Sequence, residues 1–266
     1  MKINKWEKAQ EKETGSWLST DMSYDYLMNN WRDRRGDFKM IIDKINSDSS
    51  IIDIGSGPVS VFHIFPRCRE MIALDSLNDK YKEKYTQLDY IKYISSKAER
   101  LDYPNNHFNA VLCINALDHM DDYLSALEEM MRCLKSSGLL YLEYENSSPI
   151  TILLSKLGYK KPLNDFHPIL VENKNVIRKL KENGFEILKV DVRPQFSFKK
   201  VVAIIKILLG KKQASSYEKN ISATNYGIIR TFFHYFVMFL ERIMFFYYPK
   251  RFGYFTLIIA KKINTK

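Results

Sequence analysis

The chain has 266 residues, 45% of them hydrophobic, 14% aromatic and 27% charged, which excludes a disordered tail, a collagen-like rod and a small disulfide-framed module. With 41 Lys+Arg against 31 Asp+Glu the formal charge is +10, and the excess sits in one place: residues 197–266 hold 13 basic and 2 acidic side chains, while residues 1–196 are nearly balanced. An anionic partner, nucleic acid or membrane, is therefore a question about the C-terminal quarter alone. Cys68, Cys113 and Cys133 are odd in number and lack CxxC spacing, so neither a disulfide framework nor a zinc site is indicated and a reducing, cytoplasmic compartment is expected. Residues 1–17 are charged and carry no apolar segment or cleavage site of a secretory signal.

Residues 1–35 are polar with scattered aromatics, and Asp21 is placed to cap a helix beginning near Met22. Trp6, Trp17, Tyr24 and Trp31 are expected as core or lid packing, with Trp17 or Tyr24 over a ligand as the alternative. A helical face at Phe38, Met40, Ile41, Ile42 and Ile45 follows. Short β-branched or apolar runs then recur at 51–54, 71–74, 90–94, 110–114 and 139–144, with helical patterns between them, notably at 122–134. Strand alternating with helix predicts a parallel sheet covered on both faces. A helix at 172–182, stopped by Asn183-Gly184, leads into a strand at 185–192.

The sharpest local signal is Ile51-Ile52-Asp53-Ile54-Gly55-Ser56-Gly57-Pro58. An apolar strand delivers a glycine turn whose missing β-carbons let backbone approach a ligand, at the carboxyl end of a parallel strand. Asp53, two residues before the first glycine, suits a cationic ligand better than a pyrophosphate. A dinucleotide fingerprint calls for a third glycine where Ser60 stands, with Pro58 opening the helix instead, which argues against NAD. A second strand ends in Asp75, placed to accept from a ribose diol or, alternatively, to cap a helix at 77–85.

This stretch resembles the class I S-adenosylmethionine-dependent methyltransferases, in particular their small-molecule branch, over residues 37–192 plus the last strand. The match continues in order. Lys97-Ala98-Glu99-Arg100-Leu101-Asp102-Tyr103-Pro104 occupies the place of the family's adenine-framing acidic-Ala-Glu motif, with Lys97 where the acid would stand. The run from Phe108 to His119 resembles the fourth strand and the loop beside the reacting methyl group. Arg132-Cys133-Leu134-Lys135-Ser136-Ser137-Gly138 resembles the turn into strand five, with serines for the Pro and first Gly. The resemblance implies a Rossmann-like α/β fold with a seven-stranded, mostly parallel sheet. It also implies S-adenosylmethionine held by Asp53, Gly55, Ser56, Gly57, Asp75, Ser76, Ala98, Glu99 and Asn115, with no metal. Glu99 is otherwise a solvated loop acid.

In that loop His119 is the candidate catalytic base, able to take a proton from a hydroxyl, with Asp118 and Asp121 beside it; the alternative is a residue that packs the following helix. His167, before Pro168, is a second candidate for the substrate wall. The C-terminal quarter holds a basic apolar segment at 199–212 and an aromatic one at 228–248, followed by a final strand at 252–260. Glu241 and Arg242 within the second segment disfavour a membrane span and leave a helix lying in the interface or packed on protein, with Arg230, His234 and Glu241 on one stripe.

The division expected is an N-terminal helical cap (1–36), a methyltransferase core (37–196), a basic aromatic helical insert (197–250) and the last strand with a tail (251–266). The expected activity is O-methylation of a small-molecule, glycan or lipid-linked acceptor at an anionic membrane surface, the enzyme being peripheral on its cytoplasmic side. Two alternatives stay open: a catalytically inactive partner protein of the same fold, and methylation of RNA. Nucleic acid is disfavoured because the fourth strand lacks an Asn-Pro-Pro-Tyr type motif and the basic region is interleaved with aliphatic faces.

Overall fold

The computed structural model describes residues 5–19, 23–158, 169–193, 228–248 and 254–263. The chain divides into two compact units, one of residues 1–145, 165–191 and 257–266, the other of 146–164 and 192–256.

The first unit opens with α1 (Lys5–Ser19) and α2 (Tyr24–Asp33). Ser23 caps α2, its hydroxyl accepting from the Tyr26 N–H; Asp21 lies outside the described residues. A 3-10 turn at Arg35–Phe38 and the short α3 (Lys39–Ile42) bury Phe38 and Ile41. The strands β1 (Ser50–Ile54), β2 (Glu70–Leu74), β3 (Lys92–Ile94), β4 (Phe108–Ile114), β5 (Leu134–Glu145), β6 (Phe185–Arg193) and β7 (Phe255–Lys262) form one seven-stranded sheet in the order β3-β2-β1-β4-β5-β7-β6. Parallel pairing places Ile52 beside Ile72 and Val111, and Val111 beside Leu140.

Because side chains alternate along a strand, β1 feeds two cores. Ile52 and Ile54 pack with Leu74, Val111, Leu142 and α5 (Tyr123–Cys133), and Ile51 packs with Met71, Ala73, Leu112, Tyr141 and the N-terminal elements. All five β1 residues are buried, which is what a continuous apolar run in a sheet covered on both faces requires. Asp122, the first residue of the helical pattern read at 122–134, caps α5 through bonds from the Leu124 and Ser125 N–H groups. α7 (Asn173–Glu182) ends at Asn183, followed by Gly184 at φ +74°.

Four local expectations shift. The 77–85 helix shrinks to α4 (Asn78–Tyr81), and β3 begins two residues later than its apolar run. No α-helix follows the glycine turn. Ser60 instead starts a 3-10 turn, Val61–Ile64, accepting from the Phe62 N–H while donating to Asp53. β5 begins at Leu134, and Ser137 takes a left-handed φ of +63°, a conformation glycine adopts more freely.

In the second unit α6 (Pro149–Lys156) starts on Ser148, whose hydroxyl accepts from the Thr151 N–H. Glu241 of α8 (Ile228–Tyr247) accepts from the hydroxyls of Ser148 and Thr151, the latter at 2.7 Å. No helix among the described residues is long and apolar enough to cross a membrane. The basic segment 199–212, His167 and the side chains of Arg230 and His234 lie outside the described residues.

Candidate active site

The chain runs outward from β1 through β2 to β3 in one direction and from β4 to β5 in the other, so a crevice opens beyond the carboxyl ends of β1 and β4, where open α/β sheets bind ligands. A cavity of about 230 Å³ occupies this place. The turn after β1 forms its floor. Gly55 and Ser56 donate backbone N–H bonds to the Leu74 carbonyl at 2.7 and 3.1 Å, and both Gly55 and Gly57 have positive φ. The two glycines serve different ends. A β-carbon on Gly55 would fall 2.1 Å from the Ala116 β-carbon in the loop after β4, so this glycine lets the two loops meet. A β-carbon on Gly57 would meet nothing within 4 Å, which leaves its backbone open to the cavity.

Asp75, at the end of β2, accepts from the Gly57 N–H at 3.0 Å and the Leu77 N–H at 2.9 Å. One carboxylate thus fixes the glycine loop, holds the turn at Leu77 and faces the cavity, while the short helix at Asn78–Tyr81 starts on Leu77 with no side-chain cap. Desolvation outweighs those two bonds and pushes its pKa up to about 6. Ser56, Gly57, Ser76, Ala98, Glu99 and Asn115 also line the cavity. Ser76 donates to Gln10 at 2.6 Å. Asn115, at φ +52°, donates its N–H to the Glu143 carbonyl. Glu99 accepts from the Asp121 and Asp122 N–H groups at 2.7 and 3.1 Å, so one of its oxygens holds the loop before α5. Lys97 reaches Asp121 at 3.4 Å and lies 3.7 Å over the Trp6 ring.

Asp53 is not among the lining residues. It shares the β1 face of Ile51, one position out of phase with Ile52 and Ile54, and this phase turns it under the 3-10 turn. There it is 2% exposed and accepts from the Ser60 hydroxyl at 2.7 Å and the Val61 N–H at 3.3 Å, while its other oxygen has no partner. Desolvation, only partly offset by those bonds, pushes its pKa up to about 7. The structure thus places Asp53 under the 3-10 turn, bonded to Ser60 and Val61, and off the cavity where the sequence pattern expected it to meet a cationic ligand.

His119 does face the cavity, and its charge state differs from that of a base. Its Nδ1 lies 3.0 Å from Glu13 and its Nε2 4.0 Å from Asp118. Desolvation alone lowers its pKa, but the bond to Glu13 and the charges of Asp118, Glu13 and Glu145 prevail and raise it to about 9. These carboxylates favour the protonated ring, and in that form it has no lone pair with which to accept a proton.

The wall opposite the sheet comes from the N-terminal helices, whose tryptophans the sequence pattern assigned to packing, with Trp17 over a ligand as the alternative, and whose polar residues it left unassigned. Trp6, Gln10, Glu13 and Trp17 recur at four, three and four positions, so one face of α1 looks into the cavity. Leu27, Asn30, Trp31 and Arg34 do the same from α2 and its end. All three tryptophans of the chain line this one cavity. Tyr24 does not; its hydroxyl bonds His63 Nδ1 at 2.9 Å. The 6-10-13-17 spacing was the available signal, masked by the weak apolarity of the helix. Arg34 pairs with Glu143 at 2.6 Å and with Asp37 at 3.4 Å. No group of three or more His, Cys, Asp or Glu able to hold a metal occurs among the described residues.

Residues 52–142 match the methyltransferase domain family. Over 174 residues the chain is 30% identical to the ubiquinone/menaquinone biosynthesis C-methyltransferase UbiE of Francisella philomiragia, an alignment covering 57% of this chain and 66% of that protein. The UbiE of Francisella tularensis subsp. novicida is 31% identical over the same length, with the same coverage. The match thus spans just under two thirds of these relatives. Among solved structures, the YcgJ protein from Bacillus subtilis superposes with a TM-score of 0.52 at 15% identity, covering 87% of this chain and 100% of that one, a likeness of fold. Strand order, the glycine loop and the family match agree in identifying residues 52–142 as an S-adenosylmethionine-dependent methyltransferase domain.

Proposed function

We propose that this protein methylates a small, hydroxylated, ring-bearing apolar acceptor borne at a membrane surface. The observation that carries the reading is the convergence of all three tryptophans, with Leu27, Ile114 and Met120, on the cavity that also holds the glycine loop and Asp75. Aromatic and aliphatic side chains on the walls suit a flat, largely apolar ligand, with the polar side chains between them to orient it. The relatives' names, C-methyltransferases of quinone biosynthesis, support a ring as acceptor and widen the expected O-methylation to include a ring carbon.

The residues present fit the family's methyl donor. Gly57 offers unobstructed backbone, Asp75 a carboxylate for the ribose diol, and Ala98 and Glu99 the adenine edge, with Ser56, Ser76 and Asn115 completing the walls. Arg34, which lines the same cavity while paired with Glu143, is the cation assigned to the methionine carboxylate. When bound, S-adenosylmethionine supplies an electrophilic methyl group on a cationic sulfur.

His119 works here as a fixed positive charge. A cation hydrogen-bonded to an acceptor hydroxyl lowers its pKa, so that its proton is released to solvent as the acceptor binds, and stabilises the oxyanion left behind, which raises the nucleophilicity of that oxygen and of the ring carbons conjugated with it. Glu13 keeps the ring protonated and oriented, and the tryptophan walls exclude water and hold the acceptor in line.

The test combines calorimetric titration with S-adenosylmethionine and transfer of a labelled methyl group to membrane lipid extracts, hydroxylated quinols and free sugars, with the product atom identified by NMR. Transfer to a ring-bearing acceptor is expected. Transfer confined to sugars or RNA overturns the reading.

A further inference from the structure

The second unit presents an apolar face that methyl transfer does not use. α8 packs on α6 through its Glu241 side, where Val237 is also buried, at 5% exposure. At 3.6 residues per turn, Phe236, Ile243 and Tyr247 fall within about 40° of one another, roughly a quarter turn or more from Val237 and Glu241. Phe236 is 55% exposed, Tyr247 69% and Phe246 84%, and Tyr248 follows just past the helix, also exposed. α6 and its cap add Leu153 and Leu157, one turn apart and both exposed. Clustered large apolar side chains on a surface mark a site of interaction.

Charge selects the occupant. The sequence from 197 to 266 carries 13 basic and 2 acidic residues, and Lys250-Arg251 follow the aromatic run after a single proline. A second copy of the chain would bring the same excess of positive charge to the contact, which opposes self-association there. Among the described residues no helix is long and apolar enough to span a bilayer, so a membrane would be met along its surface. Aromatic side chains in a basic stretch of sequence suit the headgroup zone of an anionic leaflet, tyrosine with tryptophan being enriched at that depth.

We propose that the α6–α8 face, centred on Phe236, Ile243, Phe246 and Tyr247, docks on an anionic phospholipid bilayer. The inference rests on the preceding reading only for its purpose, delivery of the enzyme to a membrane-borne acceptor; its physics is independent of the methyl site.

The experiment is flotation of the full chain with phosphatidylcholine vesicles, with and without phosphatidylglycerol, at low and high salt. The unaltered chain is expected to float with the anionic vesicles at low salt and to bind neutral ones about tenfold more weakly. The exposed-face variant Phe236→Ser/Phe246→Ser/Tyr247→Ser should stay at the bottom while binding S-adenosylmethionine as before. An unaltered chain that does not float overturns the proposal, as does a variant that floats equally well. Sedimentation showing that the unaltered chain is a dimer and the variant a monomer would overturn it in favour of a protein contact. Lost flotation with intact cofactor binding leaves the methyltransferase reading standing. Lost cofactor binding with intact flotation removes that reading and keeps this one.

Discussion

Glu13 and His119, 106 positions apart, meet at 3.0 Å across the cavity, one from α1 and the other from the loop after β4. The Trp6 indole N–H also donates to the His119 carbonyl at 3.0 Å, so α1 holds this residue at both backbone and ring. A loop whose sequence suggests a proton acceptor is thereby turned into one that displays a positive charge.

Removing the Glu13 charge should return His119 towards neutrality. In Glu13→Gln the remaining carboxylates work against desolvation with less help, and the His119 pKa should drop from about 9 by roughly 1–2 units. A histidine whose folded pKa lies above its ordinary 6.5 contributes stability that is complete below 6.5 and lost as pH rises through 9. The variant should therefore lose about 1–3 kcal/mol at pH 6 and little at pH 10. Urea melts across that range and NMR titration of the ring check both; an unchanged ring pKa would sink the assignment.

Cofactor affinity should follow the ionisation of Asp75. A carboxylate accepts two hydroxyl donors, whereas its protonated form gives up part of that capacity, so affinity should weaken as pH falls through about 6. Asp75→Asn should bind S-adenosylhomocysteine at least about tenfold more weakly at pH 8, a loss of about 1.5–3 kcal/mol. Tryptophan emission is the direct readout, because every tryptophan of the chain lines the cavity.

Asp53 should make folding less favourable as pH rises. Its folded pKa of about 7 exceeds the ordinary 3.8, so the native state binds more protons than the unfolded chain between those values, and stability falls from pH 4 to pH 7 and then levels. Asp53→Asn should flatten that decline by an amount on the order of 3–4 kcal/mol while leaving cofactor affinity nearly unchanged. Denaturant melts at pH 4.5 and pH 8 measure the slope. A large loss of binding in this variant would restore Asp53 to the ligand site.

Arg34 should prove costly to remove alone. It pairs with Glu143, which is 8% exposed on β5 and would be left as an uncompensated buried charge. Arg34→Met should destabilise the protein by about 3 kcal/mol, and adding Glu143→Gln should recover most of it. Cofactor affinity should stay low in the double variant if Arg34 also meets the methionine carboxylate. Recovery of both stability and affinity would confine Arg34 to a structural role.

Much of the core was legible because its signals are local. Strands at 51–54, 71–74 and 110–114 are short apolar runs of the length a buried parallel strand needs, and Asp122 and Asn183-Gly184 mark helix ends through their own backbone chemistry. The glycine turn and the acid ending β2 could be placed together because parallel strands bring their carboxyl ends side by side. The direction of Asp53 was harder to read. Period-two alternation sends it to the Ile51 face, but that it would meet Ser60 depended on the chain turning into a 3-10 helix. The α1 wall was missed because its face reads Trp, Gln, Glu, Trp, a mixture that neither apolar periodicity nor a charge pattern picks out.

The sequence by itself determined the sheet, its cofactor-facing loops and the family, since these follow from strand periodicity, glycine backbone freedom and motif order along the chain. Only the tertiary structure decided what stands opposite those loops and in which protonation state. Helices at the N-terminus reach the far end of the sheet through contacts about a hundred residues apart, and a pKa depends on the charges gathered within a few ångströms, which no linear spacing records.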